Sequence, residues 1–201
     1  MKSLGNIDLT DFWTESEYYT NSTPVNREMI ENAERKLGYK LPKIYLELIR
    51  SKNGGTPKNT CYPTNKQTSW ASDHIEITSI NGLGGGLGID SDDLGSQFMI
   101  EEWGYPDIGI VICSCPSAGH DAVMLDYSMA GKDGEPRVVH VDVEVLGDPE
   151  ITFLAENFEV FIRGLDSAEQ FEITGEELKD NKVVSVWICP EFEKLIKKSE
   201  G

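Results

Sequence analysis

Apolar residues in the first quarter of the chain recur at helical spacing. In "TPVNREMIENAERKLGYKLP", Val25, Met29, Ile30, Ala33 and Leu37 fall on one side of a 3.6-residue turn. This predicts a helix with Thr23 as N-cap, Pro24 in its first position and Gly38 as terminator. A second stripe, Ile44, Tyr45, Leu48 and Ile49, begins near Pro42 and stops at "NGG", residues 53–55, where Asn and Gly tolerate left-handed backbone. The period then changes. "HIEITSI" at 74–80, "IGIVICS" at 108–114, "DAVMLDY" at 121–127 and "PRVVHVDVE" at 136–144 are short β-branched runs bounded by turn formers, and they read as strands. "SMAGKDGEP" joins the last two as a hairpin turn would. "NGLGGGLG", residues 81–88, reads as a flexible loop, and "SQFMIEEWG" as a helix. "DPEITFLAENFEVFIRGL" gives a closing helix with Ile151, Phe153, Leu154, Phe158, Phe161, Ile162 and Leu165 on a broad apolar side. The order is α+β: an N-terminal helical pair, a largely antiparallel β-sheet and a closing helix.

Length adds a boundary to this picture. A chain of 201 residues suits one generous domain that buries roughly 70% of its unfolded surface and needs no covalent staples. We place the domain at 1–165 and read 166–201 as a C-terminal extension packed on the same domain, with "KVVSVWI" as a strand and "PEFEKLIKK" as a turn or two of helix. Cys61, Cys113, Cys115 and Cys189 are few and unevenly spaced, and "MKSLGNIDLTDFW" lacks the apolar segment of a signal peptide. Both favour free thiols in a reducing cytoplasm. No apolar run has the length of a bilayer span, so no membrane partner is expected.

Charge changes the picture more. The net charge of −17 is concentrated in residues 70–177, where 23 acidic side chains face only Lys132, Arg137 and Arg163. A field of one sign attracts a partner of the other and repels phosphate, so direct nucleic-acid binding is disfavoured.

The richest chemistry lies in "CSCPSAGHDAVMLDYS", residues 113–128. Cys113, Cys115 and His120 could supply three zinc ligands across a turn, but the sequence offers no fourth. A Cys-His nucleophilic pair would also need an oriented base and an oxyanion site. His120 and Asp121 evoke metal-dependent phosphohydrolases, yet the remaining histidines, His74 and His140, fall in strands. Buried strand cysteines beside a turn account for the same residues. The glycine run fits neither a dinucleotide fingerprint nor a phosphate loop, since "DSDD" follows it. "DSDDLGSQFMIE", residues 90–101, imitates a calcium loop except at Leu94, which has no side-chain oxygen, and it is better used as an acidic turn leading into a helix. No catalytic residue, metal or cofactor is expected.

Five segments in order resemble one known family. "FW…Y" near the start, "AERKLGYKLPKIYLELIRSKNGGTP", "GHDAVMLDYS", "GEPRVVHVDVE" and "FEVFIRGL" are similar to the SUKH superfamily, in its Smi/Knr cell-wall-assembly-regulator branch, over roughly residues 10–165. The resemblance implies an α+β domain without enzymatic activity. It further implies a bacterial immunity protein that neutralises a cognate polymorphic toxin, often a nuclease, or alternatively a regulatory scaffold of the same fold with a housekeeping partner.

If binding is the work, the surface should combine aromatic anchors with clustered negative charge. Asp90, Asp92, Asp93, Glu101, Glu102, Trp103, Tyr105 and Asp107 form such a set, and Asp121 and Asp126 would extend it. The expected partner is a protein toxin with a basic active-site face.

Overall fold

The computed structural model describes residues 9–171. A short helix α1 (Leu9–Phe12) precedes the helical pair α2 (Arg27–Leu37) and α3 (Lys43–Ser51). The α2 cap is Asn26, not Thr23. Its side chain accepts the Met29 amide at 3.0 Å, while the segment from Thr23 to Asn26 stays outside the helix. Gly38 terminates α2 in left-handed conformation (φ 78°), a geometry that favours glycine. The expected stripe of α3 is fully interior: Ile44, Tyr45, Leu48 and Ile49 are buried.

"HIEITSI" divides between two sheets. β1 (Cys61–Pro63) pairs with β2 (His74–Glu76) in a small ribbon, and β3 (Ser79–Ile80) joins the main sheet. Helix α4 (Ser96–Trp103) follows, then β4 (Gly109–Ser114), β5 (Asp121–Asp126), β6 (Arg137–Asp142) and β7 (Glu150–Ala155). The main sheet is an antiparallel meander in the order β3-β4-β5-β6-β7. Its central strand β5 is buried at every residue, as expected for a strand covered on both faces.

The closing helix is a third as long as expected. Residues 150–155 form β7, and only Phe158–Arg163 form the helix α5. Two local facts override the helical period. Thr152 and Leu154 turn inward while Ile151 and Phe153 turn outward, an alternation of period two, and Asn157 then caps α5 by accepting the Val160 amide at 3.0 Å.

The larger core lies between one sheet face and α2, α3 and α5. There Tyr45 meets Phe158 edge to face at 5.4 Å, beside Leu48, Ile110, Ile112, Val123, Leu125 and Phe161. The smaller core lies on the opposite face, where α4 places Met99 over Val111, Ala122, Met124, Val139 and Val141.

The glycine run is fastened in place. Asn53, buried between α3 and the run, accepts the Leu83 amide (2.8 Å) and donates to the Leu83 and Thr23 carbonyls (3.0 and 2.9 Å). A Cβ on Gly82 would lie 2.2 Å from the side-chain Oδ1 of Asn53 and 2.7 Å from its backbone carbonyl oxygen, so close approach requires glycine there. Beyond Leu165 the chain continues in contact: Asp166 exchanges backbone bonds with Cys61, and the Phe171 ring lies 4.3 Å from that of His74. The "KVVSVWI" and "PEFEKLIKK" segments and Cys189 lie outside the described residues.

Candidate functional site

Helix α4 and its flanking turns carry most of the residues expected to meet a partner. Ser96 Oγ accepts the Val111 amide at 2.9 Å, fixing the start of the helix to β4 next to a register shift between Val111 and Cys113. Gly104 ends the helix in left-handed conformation (φ 79°), and the chain turns back so that Tyr105 Oη donates to the Gly119 carbonyl at 3.0 Å. Helix α4 is thereby tied to strand β4 at its start and to the β4–β5 turn just past its end.

That frame sets the exposure of each residue. Asp92, Asp93, Glu101, Glu102 and Asp107 are exposed. Asp92 pairs with Lys36 (2.5 Å) and Glu101 accepts from Gln97 Nε2 (2.8 Å), exposed contacts worth little energy. Asp90 is half-buried and turned toward the glycine run, where its carboxylate accepts the Gly84 amide at 2.7 Å. Trp103 is 38% exposed. Its ring packs edge to face with Phe98 (5.6 Å) and lies so close to Gly119 that a Cβ there would sit 2.3 Å from it. With Tyr18 and Leu94, also exposed, Trp103 lines a cavity of about 220 Å³ whose other walls include Cys115 and Asp121.

Three of the expected surface residues are interior. Tyr105 is buried under α4 in the smaller core, and Asp121 and Asp126 belong to the fully covered strand β5. A carboxylate taken out of water needs partners, and both have them. Asp126 accepts from Arg137 Nε (2.7 Å) on the facing strand and from the Ser128 amide (2.8 Å). Burial pushes its carboxyl up, but the Ser128 and Arg137 bonds outweigh that and hold it below the ordinary aspartate range. Asp121 lies 2.5 Å from His140 Nε2. Here too burial acts upward, and the bonds from His140 and Ser117 win. Neither carboxylate is offered to a partner at the surface.

The reactive trio of the sequence is also regrouped. His120 points outward, with Nδ1 2.6 Å from Glu144, while Cys113 and Cys115 are buried and burial pushes their thiols well up, away from nucleophilic thiolates. In their place Cys115, Asp121 and His140 bring donor atoms within 4.8 Å of one another, the one such trio among the described residues. The acids of "DSDDLGSQFMIE" do not form another. Sheet register explains the encounter. Val123 stands opposite His140 and Asp121 opposite Asp142, so Asp121 and His140 are diagonal neighbours on one face, and the β4–β5 turn brings Cys115 alongside. One signal for this was present: Asp121 is in phase with Val123 and Leu125, and His140 with Val138, all buried.

The family model described as SMI1-KNR4 cell-wall, a SUKH model, matches residues 27–162. No curated protein and no solved structure matches the chain. No helix among the described residues is long and apolar enough to cross a membrane.

Proposed function

We propose that this chain, which belongs to the SMI1-KNR4 family of SUKH proteins, is a cytoplasmic, non-catalytic binding protein that neutralises a cognate protein toxin by occluding a basic face. The observation that carries this reading is the surface around α4. Exposed Asp92, Asp93, Glu101, Glu102 and Asp107 flank Trp103, Leu94 and Tyr18, which are held over a cavity instead of being folded into the core. Aromatic and aliphatic groups at such a place supply burial on association, and the acids steer a basic partner toward it. Against an enzymatic role stand the burial of Cys113 and Cys115, which pushes their thiols up and away from the reactive thiolate, and the outward turn of His120 toward Glu144.

The test is titration calorimetry of the full chain against the catalytically disabled toxin domain encoded beside its gene, at low and high salt. Nanomolar binding that weakens with salt supports occlusion guided by charge. Absence of binding at either salt concentration replaces this reading with the regulatory one, in which a protein of the same fold serves a housekeeping partner.

A further inference from the structure

We propose that Cys115, Asp121 and His140 form a binding site for a single divalent transition-metal ion, zinc by the character of its donors, with the cavity behind Trp103 giving access to its remaining coordination position. Thiol sulfur, imidazole nitrogen and carboxylate oxygen are the donor types that zinc accepts, and a set of three protein ligands leaves one position for water or another ligand. A sulfur ligand argues against magnesium and calcium, which take oxygen.

Two independent observations set this trio apart from a satisfied ion pair. The Asp121 side chain is 4% exposed, and although one carboxylate oxygen meets His140, the other, Oδ1, is buried without a hydrogen bond of good geometry, while the Ser117 hydroxyl and the Cys115 thiol lie near the carboxylate. A buried carboxylate oxygen left without a well-formed hydrogen bond is costly, and native interiors rarely retain one without reason. The second observation is the cavity, which Cys115 and Asp121 line together with the exposed Trp103, Leu94 and Tyr18. It supplies an entry path and room for a further ligand, which a plain buried pair does not need. Binding replaces the Cys115 thiol proton, which leaves for solvent, and the proton shared between His140 Nε2 and Asp121, which moves to the other ring nitrogen of His140 when that is free and otherwise to solvent. No redox step is involved.

The test uses the full chain, stripped with chelator and titrated with Co²⁺ and then Zn²⁺. The expected result is one equivalent of Co²⁺ bound with a thiolate-to-cobalt charge-transfer band and visible bands of low-coordinate cobalt, all bleached by Zn²⁺. Cys115→Ser should abolish the charge-transfer band, and His140→Gln should weaken binding by at least the roughly 10–100-fold seen when mere outer-shell partners are lost. Cys61→Ser, outside the trio, should change neither. Wild-type protein that shows no charge-transfer band overturns the proposal whatever the variants do, and so does a band that survives Cys115→Ser. The toxin reading is untouched by either outcome, because its surface acids are not ligands here.

Discussion

On one face of the main sheet, α2, α3 and α5 lay down Ala33, Tyr45, Leu48, Ile49, Phe158 and Phe161, all with essentially no exposure. On the other, α4 alone covers Val111, Met124, Val139 and Val141, and the outward residues of β7, Ile151 and Phe153, remain 40% and 53% exposed. One sheet thus has a thick side and a thin side. Close packing against three helices makes the thick side a source of stability. The thin side carries the half-exposed tryptophan, the acids and the cavity, and it is the side on which we propose that a partner docks. The contrast assigns different consequences to substitutions only a few residues apart in sequence.

The largest effect is expected on the thick side. Phe158→Ala removes a fully buried ring that packs on Tyr45 and lies near Phe161, so stability should fall by about 3–5 kcal/mol, a substantial share of the roughly 5–15 kcal/mol of a typical domain. Urea unfolding followed by tryptophan fluorescence measures it. A loss under about 1 kcal/mol would show that the thick side collapses around the cavity and is no more specifically packed than the thin one.

A middle effect belongs to the end of the thin side, where Asp126 and Arg137 stand opposite each other in phase with Met124 and Val139. Asp126→Asn keeps the shape of the carboxylate but loses its charge-assisted bonds with Arg137, and should cost about 2 kcal/mol. Arg137 is 41% exposed and can turn to water, which keeps the loss below that of a wholly buried pair. The pH dependence has a definite sign. Because the folded Asp126 carboxyl is held below its ordinary value, its contribution is complete above the usual aspartate pKa of about 4 and disappears as pH falls through the lower folded value. Wild type should therefore lose stability below about pH 4 more steeply than Asp126→Asn, as read from urea midpoints across pH. Parallel acid limbs would remove Asp126 from the account.

The thick side was the more legible of the two in the sequence, for a physical reason. The apolar stripe of α3, the left-handed Gly38 and the strands β4, β5 and β6 follow from local periods and turn chemistry. β7 was hidden because Phe153 and Leu154 satisfy a helical apolar face on paper, whereas pairing with β6 selects the alternation of Ile151 and Phe153 against Thr152 and Leu154. The surface around α4 was legible in its exposed acids and Trp103. It was misread at Tyr105, Asp121 and Asp126, since charge suggests exposure but a central strand has no exposed face to give. The Cys115–Asp121–His140 cluster depends on register between β5 and β6 and on the β4–β5 turn, so residue types alone pointed to His120 instead.

The smallest effect on stability should come from the thin side, where the effect on binding should be the greatest. Glu101→Lys, Glu102→Lys and Asp107→Lys alter exposed side chains away from either core, so each should change stability by no more than about 0.5 kcal/mol. Reversing three charges also removes repulsion from a segment rich in acids, which offsets part of any loss. Association with a basic partner depends on the same charges over longer distances. The triple variant should bind the toxin domain more slowly by about tenfold or more at low salt, with the difference shrinking as the Debye length falls from about 10 Å at 0.1 M to about 3 Å at 1 M. Stopped-flow association across a salt series separates this from a loss of contacts, which would appear in the dissociation rate and persist in salt. Unchanged association at low salt would remove these acids from the interface, leaving the thin side as a thinly covered face with no demonstrated partner.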